Sequence, residues 1–347
     1  MKKITVILYI LFLMISCYAP PKAEYEGNSV YFWKTVFDTD SIENQFINDF
    51  NIKKIYIRYF DVITDKKTNR PKPNATIRFK TIPQKDLEVI PTVFITEDCL
   101  KKRMDTLYKT LADRILQINE THNIGQVNEI QIDCDYTAKS LENYYTFLTL
   151  LKNYLNQKNI KLSVTIRLHQ LSMKVPPCDY GVLMLYNTGN YKDKKCENPI
   201  IGLKEIKPYL KNLKKYNLKL AAAFPNFKWQ ILFKKGVYNN ILYGQNLSDS
   251  TLFRKIDEKT FVVIRSKDIP VYLNNENFNV MMNYGDTIYL KKAEAKEILN
   301  VEKEIAELRK DILKHKIIYD LNALNINNLK HNEYEKIFNF GNNYNAD

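Results

Sequence analysis

The sequence predicts an α/β fold, a (β/α)8 TIM-like barrel, and three observations carry that reading. Eight strand-like runs alternate with helical periods, and no Gly/Ser-rich linker divides the chain. Two consecutive runs have one apolar face and one polar face. Between the seventh and eighth runs, hairpin-like segments precede the helical period, which predicts a β-rich insertion over residues 227–290 of a single domain spanning 29–347.

The predicted strands are Ser29 to Trp33, Ile52 to Phe60, Glu88 to Thr96, Glu129 to Asp135, Lys161 to His169, Tyr180 to Asn187, Leu218 to Phe224 and Lys316 to Leu321. Helical periods cover Ser41 to Asp49, Leu100 to Ile118, Ser140 to Asn156, Lys204 to Lys215 and Ala293 to Leu313. Strand and helix in alternation imply parallel pairing through right-handed crossovers, in a closed barrel or a doubly wound open sheet. The side chains favour the barrel. In the fourth strand Ile130, Ile132 and Cys134 alternate with Gln131, Asp133 and Asp135. In the fifth, Leu162, Val164, Ile166 and Leu168 alternate with Ser163, Thr165, Arg167 and His169. Strands of an open α/β sheet are covered on both faces and are apolar on both, whereas a barrel interior can open into a polar site at the C-terminal strand ends.

Two segments exceed a minimal barrel. Asp61 to Leu87, with Pro71, Pro73 and Pro83, reads as a long loop with a short strand at Thr76 to Phe79. The insertion carries Trp229, Phe233, Tyr238 and Tyr243, which either wall the barrel mouth or pack a small core of their own.

The first residues predict an address. Lys2 and Lys3 precede an apolar run from Ile4 to Ile15, shorter than the roughly 20 residues that span a bilayer. It ends in Leu13-Met14-Ile15-Ser16-Cys17, which resembles the cleavage site of lipoprotein signal peptides. Residues 1–16 are then a leader, Cys17 is the lipidated residue, and residues 17–28, with Pro20 and Pro21, are a tether. The expected location is the cell envelope, anchored to a membrane through lipid on Cys17. Tyr18 in place of aspartate favours the outer membrane of a two-membrane bacterium. An uncleaved anchor helix is the alternative.

The formal charge of +13 becomes +11 once Lys2 and Lys3 leave with the leader. The lysines are scattered, so no nucleic-acid partner is expected, and a basic surface suits a protein lying against anionic lipid. Beyond Cys17, Cys99, Cys134, Cys178 and Cys196 match no disulfide framework or CxxC pattern. Four histidines without HExxH spacing predict no metal site, and no cofactor is implied.

A resemblance emerges from Tyr31-Phe32-Trp33-Lys34, Gln131-Ile132-Asp133-Cys134-Asp135-Tyr136, the helix with Tyr144 to Tyr154, and Leu162-Ser163-Val164-Thr165. These segments, over about half the chain, resemble an uncharacterised bacterial family of secreted proteins and lipoproteins with glycoside-hydrolase-like barrels. The resemblance implies fold and compartment. More distantly, the fourth strand is similar to that of family 18 glycoside hydrolases, where Asp, Asp and Glu occupy alternate positions. If Asp133 and Asp135 match the two aspartates, Thr137 stands where the glutamate is expected. Shifted by two, Asp135 takes the acid's place, with Gln131 and Asn128 at the earlier aspartate positions. Both registers depart from the pattern.

Glycosidic cleavage needs a carboxylic acid to protonate the leaving oxygen and a second carboxylate, or a substrate group, to stabilise the cationic centre. Asp133 and Asp135, about 7 Å apart on one strand face, are the catalytic candidates, with Asp135 as acid and Asp133 as its orienting partner. Arg167 and His169 are expected to contact substrate. Glu97 and Asp98 offer further carboxylates, and Trp33 and Tyr186 are candidate sugar-stacking platforms. The competing reading is a structural polar core in which Asp133 pairs with Arg167. Three function classes stay open: a glycan-cleaving enzyme, a non-catalytic glycan- or peptidoglycan-binding lipoprotein, and an envelope scaffold that uses its insertion.

Overall fold

In a computed structural model, which describes residues 27–101, 105–273 and 276–341, eight parallel strands close into a barrel. They are β1 (Gly27–Phe32), β2 (Ile52–Thr64), β3 (Glu88–Ile95), β4 (Glu129–Asp133), β5 (Lys161–Ile166), β6 (Tyr180–Met184), β7 (Leu220–Pro225) and β8 (His315–Tyr319). Each pairs with the next, and β1 pairs with both β2 and β8, which closes the ring. The leader, Cys17 and the tether up to residue 26 lie outside the described residues.

Six of the eight connections after the strands carry α-helix. These are α1 (Ser41–Asp49), α2 (Leu107–His122), α3 (Leu141–Asn156), α4 (Leu203–Leu210), α5 (Ala295–Arg309), and the pair α6 (Ala323–Ile326) and α7 (His331–Asn339) after β8. The start of α1 is set by a capping box, in which Asp40 accepts from the Glu43 backbone and Glu43 from that of Asp40. The buried Glu43 carboxylate also meets Lys34 and accepts from Ala323 N at 3.2 Å, tying the ends of β1 and β8. On the outer face of β8, the fully buried Lys316 meets Glu302 of α5 at 2.9 Å and donates to the Phe340 carbonyl at 2.6 Å beyond α7. That pairing fastens two helices to one strand. Among the described residues, no helix is long and apolar enough to cross a membrane.

The expected strands recur with their ends moved by a few residues, and three helices are shorter than the periodicity predicts, α5 giving way after Arg309 to a 3-10 turn at Lys310–Lys314. A 3-10 turn, Glu97–Leu100, follows β3, and α2 begins at Leu107 rather than Leu100. Helix α4 holds Pro208 and stops at Leu210, with a 3-10 turn at Leu213–Lys215. The expected long loop over 61–87 is a hairpin: β2 continues to Thr64 and pairs antiparallel with Pro71–Asn74. Pro71 and Pro73 read as loop residues in sequence, but on an edge strand their missing N–H groups cost no ladder bond. Arg78–Phe79 adds a short parallel pair with Val36–Phe37.

The insertion is a five-stranded antiparallel sheet plus a two-stranded hairpin, Lys267–Leu273 with Glu276–Met282. Leu232, Leu242, Phe253, Val263, Val280 and Ile288 fill a core separate from the barrel's. Trp229 packs instead on Phe227 and the main core, and Phe233 meets Tyr238 and Tyr289.

Candidate functional site

The barrel interior is polar where the alternation places it. Tyr31 of β1 donates across the barrel to Gln131 of β4 at 2.8 Å, and both are fully buried. Near the N-terminal strand ends, Glu129 accepts from Ser163 and Tyr180, each at 2.5 Å, and Ser29 meets His315 at 2.8 Å. These groups bond one another and are all buried.

At the C-terminal strand ends the interior opens into a cleft of about 760 Å³. Its lining includes Trp33, Arg58, Asp61, Asp133, Asp135 and Arg167. Pairing of β4 with β5 brings residues 133 and 135 beside 165 and 167. Asp133 accepts from Thr165 Oγ1 at 2.6 Å and from Arg167 Nη2 at 3.1 Å. Arg167 Nε donates to Asp135 Oδ1, so one guanidinium bridges both carboxylates. Burial raises the Asp133 pKa above the usual carboxylate range, against the opposing pull of Arg167. The Asp135 side chain is 58% exposed while that of Asp133 is 6% exposed, so Asp135 is the one that meets solvent in the cleft.

A second bridge faces the first. Arg58 donates to Asp61 Oδ1 at 2.7 Å through Nε and to Oδ2 through Nη2, a two-pronged pair. A bulge in β2 between Arg58 and Phe60 puts residues three apart in sequence on the same face. Arg58 also lies over the Trp33 ring, 5.8 Å from its centroid.

The sequence candidates divide as follows. Asp133, Asp135, Arg167, Trp33, Asp98 and Tyr186 all line the cleft. Tyr186 is only 7% exposed, stacked on Tyr319 at 4.9 Å with Phe227 at its edge, so it is a wall rather than a platform. His169 is not part of this lining. The strand expected to reach it ends at Ile166, and His169 sits exposed on a 3-10 turn, Leu168–Ser172. Glu97 is also outside the lining. It accepts from Thr137 Oγ1 at 2.5 Å, from Ser140 Oγ at 2.8 Å and from Thr137 N at 3.1 Å, and these bonds lower its pKa. Its observed partners are therefore in the loop that follows β4. Trp229, Phe233, Tyr238 and Tyr243 do not line the cleft either.

Just beyond β4, Asp135 lines the cleft, while the exposed Thr137 is not part of the lining. Reading the sequence alone missed Arg58, Asp61, Lys66, Asn74, Asn187 and Tyr319 in the cleft. Arg58 was the accessible signal, a lone cation inside the apolar run Ile55 to Phe60. Cys99, Cys134, Cys178 and Cys196 are free thiols. Among the described residues, no group of three or more His, Cys, Asp or Glu side chains is arranged to hold a metal ion.

No protein-family model matches the chain, and no curated protein does. Solved structures match over most of its length. The Bacillus cereus spore cortex-lytic enzyme SleL is 15% identical with a TM-score of 0.51, over 88% of this chain and 74% of that one. A chitinase from Chromobacterium violaceum is 10% identical with a TM-score of 0.52, over 91% and 98%. A family GH18 chitinase from Cycas revoluta, solved with (GlcNAc)3, is 10% identical with a TM-score of 0.52, over 90% and 99%. The chain shares their glycoside-hydrolase-like barrel fold.

Proposed function

We propose that this chain is an envelope lipoprotein whose barrel mouth binds a carbohydrate chain, and that its bridged aspartates read sugar hydroxyls instead of protonating a leaving oxygen. The observation that carries this reading is the Arg167 guanidinium shared by Asp133 and Asp135. An acid catalyst must present an O–H to the glycosidic oxygen. Asp135 Oδ1 is instead engaged as the acceptor of a guanidinium N–H, and Asp133 Oδ1 accepts two bonds already. Fixed acceptors and donors beside a partly exposed Trp33 suit the alternating hydroxyls and apolar faces of a sugar ring. Analogy of fold adds support, since the Cycas revoluta barrel was solved with GlcNAc oligomers.

Hydrolysis is the second reading, and one observation favours it: two carboxylates face one cleft, the buried one with a raised pKa. In that reading Asp135 is the acid and Asp133 its partner, once substrate displaces Arg167. Release of reducing ends from a glycan panel, with wild type and Asp135→Asn side by side, separates the two. Binding without turnover supports the first reading. Turnover abolished by the substitution supports the second, and turnover unaffected by it removes Asp135 as the acid. The anchor is tested separately by labelling with radioactive palmitate, which wild type is expected to incorporate and Cys17→Ser to lose.

A further inference from the structure

From the charges on the hairpin that walls the cleft we infer that its ligand is an anionic glycan, one carrying carboxylate, sulfate or phosphate groups. The inference rests on the carbohydrate-binding reading and adds the class of sugar. The carboxylates lining the cleft each meet a cation: Asp61 meets Arg58, Asp133 and Asp135 meet Arg167, and Asp98 meets Lys101. Lys66, on the same lining, has no carboxylate partner among the described residues. Because one Arg167 serves two carboxylates, Lys66 balances the surplus acid and the cleft together with Lys101 is formally neutral, so the excess of positive charge lies on the hairpin beyond it.

Lys66 begins the tip of the hairpin that walls the cleft. From Asp65 to Lys80 the chain holds six cations, Lys66, Lys67, Arg70, Lys72, Arg78 and Lys80, against one acid, Asp65. Asp65 is engaged within the hairpin: it accepts from the Lys67 and Thr68 backbones at 2.8 and 2.9 Å and meets Lys72 at 2.8 Å. Lys66, Lys67 and Arg70 are exposed and have no carboxylate partner among the described residues. The turn is ordered by backbone bonds from Asp65 N to Arg70 O and from Asn69 N to Asp65 O, both 2.8 Å. The ladder from Asp61–Thr64 to Pro71–Asn74 fixes the arm to a barrel strand. A chain leaving the cleft past Lys66 meets a pre-ordered row of cations, which selects acidic polymers over neutral ones.

The test is titration with polygalacturonate and with its methyl ester, and with dextran sulfate and dextran, at low and physiological salt. Three proteins are compared: wild type, Lys66→Ser/Lys67→Ser/Arg70→Ser, and Lys211→Ser/Lys214→Ser/Lys215→Ser. The last removes equal charge from exposed positions preceding β7, at the opposite end of the barrel. Wild type is expected to bind an acidic polymer at least about tenfold more tightly than its neutral counterpart, with a preference that weakens in salt. The hairpin variant is expected to lose that preference and the control to keep it. Equal loss in both variants, or equal affinity for acidic and neutral polymers, overturns the inference while leaving a glycan-binding cleft in place. No binding of any polymer removes the cleft reading as well. Anionic phosphatidylglycerol vesicles bound through the hairpin, with no preference among polymers, would turn the arm into a membrane contact and also overturn it.

Discussion

The two ends of the barrel are built from the same alternation of inward side chains, yet one end is sealed and the other is a cleft. At the sealed end, Glu129 of β4 accepts hydroxyls from β5 and β6, and Ser29 of β1 meets His315 of β8. At the open end, Asp133 of the same strand accepts a hydroxyl from β5 in the same manner, but its other partner, Arg167, reaches on to the exposed Asp135. The strands themselves do not distinguish the ends. The extension of β2 into its hairpin walls the open end, where one set of polar groups lines the cleft. A polar interior is thus a property of this barrel, and a site arises where the covering stops.

Removing the bridge should break the open end at the largest cost. Arg167→Leu leaves Asp133, at 4% exposure, without its cation, and is expected to destabilise the fold by about 3 kcal/mol in urea denaturation and to abolish glycan binding. Asp320 sharpens the comparison, since it follows β8 at the open end but is 8% exposed and outside the cleft lining. Burial lifts its pKa from 3.8 to about 6, opposed by the bond it accepts from Asn325. A carboxyl with a raised folded pKa takes up a proton on folding, so its contribution is complete below the unfolded value and is lost as pH rises through the folded one. Wild type should therefore lose about 2 to 3 kcal/mol relative to Asp320→Asn between pH 4 and pH 6, read from urea midpoints. At the sealed end, Glu129→Leu removes the acceptor of the Ser163 and Tyr180 hydroxyls, which keep only Gln131 and Tyr56 as partners, and this should cost about 2 kcal/mol and leave glycan affinity unchanged. The smallest effect on stability, below about 1 kcal/mol, is expected for Asp135→Asn, because that end of the bridge is solvated. Its effect should appear in binding instead.

The same contrast explains what could be read from the sequence. Alternation in β4 and β5 was enough to predict that Asp133, Asp135 and Arg167 share an interior face, because side-chain direction has period two in any strand. It failed at β2, where the bulge at Tyr59 resets the period: strict alternation would put Arg58 and Asp61 on opposite faces, and they pair in the cleft. It failed again for His169, since the polar pattern continues past Ile166 although the strand does not. Nothing in Glu97 itself signals its role, which depends on Thr137 and Ser140 about forty residues away coming within hydrogen-bond reach. Trp33 and Tyr186 both read as platforms and both pack against Tyr319, and what separates them is burial, Tyr186 being buried and Trp33 only half-buried.

The chain contains two tryptophans, Trp33 in the cleft and Trp229 outside its lining, so the central claim has a direct optical test. In Trp229→Phe, titration with a glycan bound by wild type is expected to change the emission of Trp33 with the same saturation curve as binding measured by calorimetry. Saturable binding with no change in Trp33 emission, alongside a change reported by Trp229 in Trp33→Phe, would put the carbohydrate elsewhere and contradict the account.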